Sequence, residues 1–178
     1  MTSATFPQHH SFHKAYLDLM EEARELNCSD SRAFAREMRA ERFENAWRAV
    51  REHCQGDVEK LCGIELYNES IQQWAAILVD PTEPSMYRAQ YYAANGFHGH
   101  ACHRTAVTVL DELIREGFRT LDMGALERLS STPEWVLGSD VAAIIQKVNC
   151  GQLSYEEGDR VYEELLARMK SSLQEESA

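Results

Sequence analysis

Three imidazoles, one thiol and one guanidinium fall within seven residues of this chain, in the run Phe97-His98-Gly99-His100-Ala101-Cys102-His103-Arg104. Neutral imidazole and thiolate are good ligands for zinc and other divalent transition metals. If the run opens a helix, His100 and His103, three residues apart, share one face. His98 would then curl toward the same point, and Gly96 and Gly99 permit the tight backbone that this requires. Asp111, eight residues beyond His103, falls on the same side and supplies a carboxylate. Glu65 and Glu69 are further acids that a bundle could bring to His103 and Asp111. In a hydrolytic version the metal activates a bound water as nucleophile. Arg104, beside free amides at the helix N-terminus, would hold the negative group of the substrate.

A plainer reading of the same residues competes. His103 falls on an apolar stripe and suits a core histidine, while His98 and His100 suit capping or solvent. The acids suit solvated helix faces and ion pairs. The patterns that single out known metal and nucleophile chemistry are missing: HExxH, the ExxH of carboxylate di-metal bundles, a nucleophile elbow and a glycine-rich phosphate loop. Cys102 and His103 are sequence neighbours, and helical neighbours point in different directions, so they make no dyad. His9, His10 and His13 form a second set with ligand-like spacing, best read as part of an N-terminal tail.

The elements that must position these groups read as helices throughout. Tyr16, Leu19, Met20 and Ala23 mark a helix over 12–27. Phe34, Met38, Phe43, Ala46, Trp47, Val50 and Cys54 mark a second, ended by Gly56. Asp57 caps a third that runs to Val79 and buries Leu61, Ile64, Tyr67, Ile71, Trp74, Ala75 and Leu78. Asp80-Pro81-Thr82-Glu83-Pro84 stops it, because proline removes a donor and biases the preceding residue away from helix. Further helices follow over 85–94 and 99–116, with a short one near 123–129. Thr132-Pro133 places an oxygen cap before a proline and starts another. Ser154 and Glu157 form a capping box that opens the last helix.

The expected fold is all-α: a compact orthogonal or irregular bundle of about six to eight helices with an antiparallel C-terminal helix pair. Residues 1–11 read as a tail and 12–174 as one domain, with an internal boundary at 80–84.

Composition narrows the partners. The net charge of −11 marks an acidic protein and argues against nucleic acid. Five cysteines, odd in number and never spaced CxxC, argue against a disulfide framework and a zinc knuckle. Several of them suit small buried positions. No apolar run approaches the roughly 20 residues of a membrane span, and the N-terminus lacks secretory-signal character. These features read as cytoplasmic, with specialised export left open. Arg32, Arg36 and Arg39 form a basic ridge, and Tyr87 and Tyr91 fall in a tyrosine-rich segment, so these five are the candidate partner contacts. Two functions compete. The first is a small interaction or regulatory module that works through contacts with another protein or a second copy of itself. The alternative is a metal-dependent hydrolase or metal-binding regulator at residues 98–104, with zinc or another divalent transition metal. Outside that alternative no cofactor is called for.

Overall fold

The computed structural model describes residues 31–175, and side-chain surroundings over 38–168. The histidine set at 9–13, the tail and the helix expected at 12–27 lie outside the described residues. The described chain is α/β, not all-α: it contains a five-stranded sheet and, among the described residues, five α-helices. The order is α1 (Ser31–His53), a 3-10 turn (Val58–Leu61), β1 (Glu65–Asn68), β2 (Gln73–Val79), β3 (Tyr87–Ala93), β4 (Gly96–His103), α2 (Ala106–Glu116), β5 (Thr120–Leu121), α3 (Ala125–Ser130), α4 (Pro133–Asn149) and α5 (Tyr155–Glu175). Strands β1 to β4 form a meander, and β5 adds antiparallel to β1, giving the sheet order β4-β3-β2-β1-β5.

The third and fourth expected helices and the start of the fifth are strands. The apolar residues at 61–78 do recur at helical spacing. The centre of β2, however, is buried on both faces, with Ala75, Ala76 and Ile77 all inaccessible. A strand covered on both sides loses the apolar–polar alternation that identifies a half-exposed one. The turns carry the corrective signal. At 69–72 the Asn68 side chain accepts a hydrogen bond from the Ser70 amide at 3.1 Å, and Gln72 is left-handed at φ 55°. Ile71, expected in the core, is half exposed at this turn. Residues 80–84 link β2 to β3. The Asp80 side chain organises them by accepting from the Thr82 hydroxyl and from the amides of Thr82 and Glu83.

Backbone contacts divide the chain into two units, one of residues 1–93 and 98–126 and one of 94–97 and 127–178. The described part of the first holds nearly the whole sheet. One sheet face, with Leu66, Ala75, Ile77 and Ala89, packs against Phe43, Trp47 and Val50 of α1 and Val109, Leu110, Leu113 and Ile114 of α2. Full burial of each large aliphatic chain contributes roughly 1.5–3 kcal/mol. Thr105 caps α2 by accepting from the Thr108 amide, and Gly117 ends it in a left-handed conformation at φ 105° that favours glycine.

The opposite face carries a row of rings, Tyr67, Trp74 and Tyr92, with centroids 4.6 and 6.3 Å apart. Its polar ends are matched: Trp74 Nε1 donates to Asp122 at 2.7 Å, and Glu65 accepts from the Tyr92 hydroxyl and the Leu126 amide. The second unit comprises the β3–β4 hairpin tip and the helical pair α4–α5. No helix among the described residues is long and apolar enough to cross a membrane.

Candidate functional site

The histidine-rich run does not enter a helix. Residues 96–103 are strand β4, at the sheet edge, and the helix begins only at Ala106. On a strand, successive side chains alternate between faces, so residues three apart point oppositely. The shared helical face expected for His100 and His103 is therefore lost. His98 and His100 are exposed, and His103 Nε2 stands 2.8 Å from Glu112 Oε2. Asp111 is buried on α2 with Oδ2 3.1 Å from Arg115. Glu65 belongs to the ring-bearing face of the sheet and Asp111 to the helix packed on the other. Among the described residues, no three His, Cys, Asp or Glu side chains gather as a metal-holding group. The shared helical face expected to gather His98, His100, His103 and Asp111 is thus replaced by strand β4 and a separate helix α2.

Arg104 is exposed in the link between β4 and α2, immediately before the Thr105 cap. Cys102 donates to Asp80 Oδ2 at 3.3 Å, and that carboxylate first, then burial, raises the thiol pKa. Of the four cysteines in the described residues only Cys54 is buried, and burial is the main cause that raises its pKa. Cys28 lies outside the described residues.

The expected partner contacts scatter. Arg32 and Arg36 belong to α1, and their side chains lie outside the described set. Arg39 is exposed with its guanidinium 5.4 Å from the Phe43 ring centroid. Tyr87 and Tyr91 are half-buried and pack against the core. The Tyr91 hydroxyl donates to Glu116 at 2.8 Å, and burial, followed by that carboxylate, raises its pKa.

The second unit concentrates exposed apolar surface. Helix α4 starts at the Thr132 cap, whose hydroxyl oxygen accepts from the Trp135 amide at 3.2 Å, with proline in its first turn. Helix α5 starts at a reciprocal capping box: Ser154 N and Oγ lie 2.8 Å from Glu157 Oε2, and Ser154 Oγ accepts from the Glu157 amide. These bonds lower the Glu157 pKa, the backbone contact from Ser154 most. Near the hairpin tip, Phe97 meets Trp135 edge-to-face at 5.1 Å. Gly138 lets α4 approach that tip, since a Cβ there would stand 1.8 Å from the Asn95 carbonyl oxygen.

Between α4 and α5 runs a groove of about 400 Å³, lined by Val141, Ile144, Ile145, Val148, Tyr155 and Tyr162 among others. Its floor is Gly158, which is buried, and a Cβ there would come within 2.7 Å of Val148 Cγ2. Around it Ile145 is 54% exposed, Tyr155 80% and Tyr162 40%.

Comparison of the chain with protein-family models, with curated proteins and with solved structures found no match. The groove therefore stands on its own chemistry. The apolar spacing of both helices predicts stripes, but stripes alone do not reveal that these remain uncovered. The available signal was Gly158, a small residue between Tyr155 and Tyr162 in the acid-rich first half of the helix.

Proposed function

We propose that the chain is a protein-interaction module whose contact surface is the α4–α5 hairpin, and that its first occupant is the hairpin of a second copy. The observation that carries this reading is the apolar groove with Ile145, Tyr155 and Tyr162 exposed beside it. Soluble surfaces seldom leave large apolar side chains grouped around a groove without a use for them.

The second copy is favoured by self-complementarity. An isologous contact needs one patch to supply both projection and recess. Here the projecting Ile145 and Tyr155 and the glycine-floored recess belong to one lined groove. Two paired hairpins make a four-helix bundle, the usual way such stripes close into a core. A face two helices wide and about 25 Å long offers on the order of 500 Å² per partner before corrugation, roughly 1,000 Å² for the pair, at the lower threshold of a specific interface.

Sedimentation velocity of the chain of residues 1–178 tests this, with Ile145→Glu and Tyr155→Ser compared with wild type. Wild type is expected to sediment as a dimer, and both variants as monomers with unchanged circular dichroism. A dimer indifferent to both substitutions overturns the hairpin as the contact. A monomeric wild type overturns self-association and directs the search to an amphipathic helix of a different protein.

A further inference from the structure

The sheet unit holds a polar cavity of about 500 Å³, with Arg42, Asn45, Ser70, Arg119 and Thr120 on its wall. Three elements supply them: α1 gives Arg42 and Asn45, the β1–β2 turn gives Ser70, and Arg119 and Thr120 lie where the chain enters β5. Asn68 holds that turn by accepting from Ser70 and donating to the Glu116 carbonyl at 3.1 Å.

The arginines are arranged for an anion. The Arg119 guanidinium carbon lies 4.8 Å from the Phe43 ring centroid, and Arg39 shares the same ring at 5.4 Å. Arg119 Nε donates to the Ile114 carbonyl at 3.1 Å. Stacking and this bond fix the guanidinium plane and leave its Nη edge for a bidentate acceptor. Among the described residues, no carboxylate lies within 4.0 Å of Arg39, Arg42 or Arg119. Burial first, then Arg39 and Arg42, push the Arg119 pKa down, as expected of crowded cations without a counter-ion.

Charge and polarity select the ligand class. Glu69 is the acid on the cavity wall. The wall itself carries the guanidiniums of Arg42 and Arg119 against the Glu69 carboxylate, and Arg39, on the Phe43 ring that Arg119 also covers, adds a third cation beside it. This positive surplus suits the −1.5 to −2 of a phosphate monoester near neutral pH. The cavity exceeds what a bare phosphate fills, and its hydroxyl and amide groups suit a hydrophilic body.

We propose that this cavity binds a small hydrophilic phosphate monoester, with its phosphoryl oxygens on Arg42 and Arg119 and its body against Asn45, Ser70 and Thr120. Titration calorimetry of the full chain provides the test, with ribose 5-phosphate, ribose and inorganic phosphate as probes. Ribose 5-phosphate is expected to bind, ribose to give no heat, and inorganic phosphate to bind more weakly than the ester. Arg42→Gln, at an exposed position that leaves the core intact, should weaken the ester by about tenfold or more. Arg119→Lys keeps the charge but loses the fork, and should weaken it too, while Arg160→Gln on α5 should not. Added salt should weaken binding further. Absence of heat with ribose 5-phosphate overturns the site, as does affinity unchanged in both Arg42→Gln and Arg119→Lys. Inorganic phosphate binding as tightly as the ester overturns the role given to Asn45, Ser70 and Thr120.

Discussion

The two units solve the same problem with opposite results. In the sheet unit, α2 buries Ala106, Val107, Val109, Leu110, Asp111, Leu113 and Ile114 over three turns, and the sheet closes over them. In the second unit, α4 is longer yet buries only Trp135, with Ile145 and Val136 more than half exposed. The first unit spends its apolar side chains on its own stability. The second has capped helices and one tight approach, and leaves Val136, Ile145, Tyr155 and Tyr162 exposed. That contrast, more than any single residue, favours reading the hairpin as the interaction surface.

The largest test of the contrast compares matched truncations. Leu110→Ala in the closed core should cost about 2–5 kcal/mol, the range for buried leucines. Ile145→Ala, measured where the chain is monomeric, should change stability by less than about 0.5 kcal/mol, as for an exposed side chain. Urea denaturation of the two variants decides it. Comparable losses would mean that the hairpin is as closed as the sheet unit.

Gly138→Ala is the next in size. Alanine in a helix interior ordinarily gains up to about 1 kcal/mol over glycine. Here the added Cβ would meet the Asn95 carbonyl, a backbone atom that cannot rotate away. A net loss of about 1–3 kcal/mol is expected, the range for overpacking. A variant more stable than wild type would remove the hairpin tip from the forces that order α4.

Legibility in the sequence followed the same divide. In the hairpin the apolar spacing and the two N-caps lie on contiguous residues, so Thr132-Pro133 and Ser154–Glu157 can be read directly, and their hydrogen bonds are present. Gly117 at the end of α2 was equally local. The sheet was illegible because its evidence is not local. Trp74, Ala75 and Leu78 look like part of a helical stripe until Ala76 and Ile77 between them are known to be buried too, and that cover comes from residues far away in sequence. The helical face assumed for the histidine run was misread for the same reason, since it rested on helical spacing over residues 98–103, which form a strand. The arginine cavity was half visible: Arg39 stood out on its ridge, but Arg119 reaches Phe43 only through the fold.

Caps offer a smaller test. If the hairpin is ordered by caps, Ser154→Ala should destabilise it by about 1 kcal/mol, the usual cost of a lost N-cap. Hydrogen exchange in the first turn of α5 should accelerate while exchange in α2 stays unchanged. Equal acceleration in both helices would mean that the cap supports the whole chain and not its own unit.

The smallest expected effect concerns the loop carboxylate of the sheet unit, Asp80, and is read by pH. Its pKa is lowered chiefly by the Thr82 hydroxyl, then by the Glu83 and Thr82 amides, against a smaller opposing desolvation. A carboxylate with a lowered folded pKa stabilises the fold fully above the ordinary carboxylate range and loses that contribution as pH falls through the folded value. The advantage of wild type over Asp80→Asn should therefore be constant near neutrality and shrink steadily on acidification. The same substitution removes the carboxylate that raises the Cys102 pKa. Iodoacetamide should then alkylate Cys102 faster at neutral pH, because the thiolate is the nucleophile. Cys150, at the C-terminal end of α4, should react at the same rate in both proteins. A Cys102 rate unmoved by Asp80→Asn would mean that the 3.3 Å contact does not control the thiol. A change at both cysteines would mean that the loop at 80–84 influences the hairpin, and the two units could no longer be treated as independent.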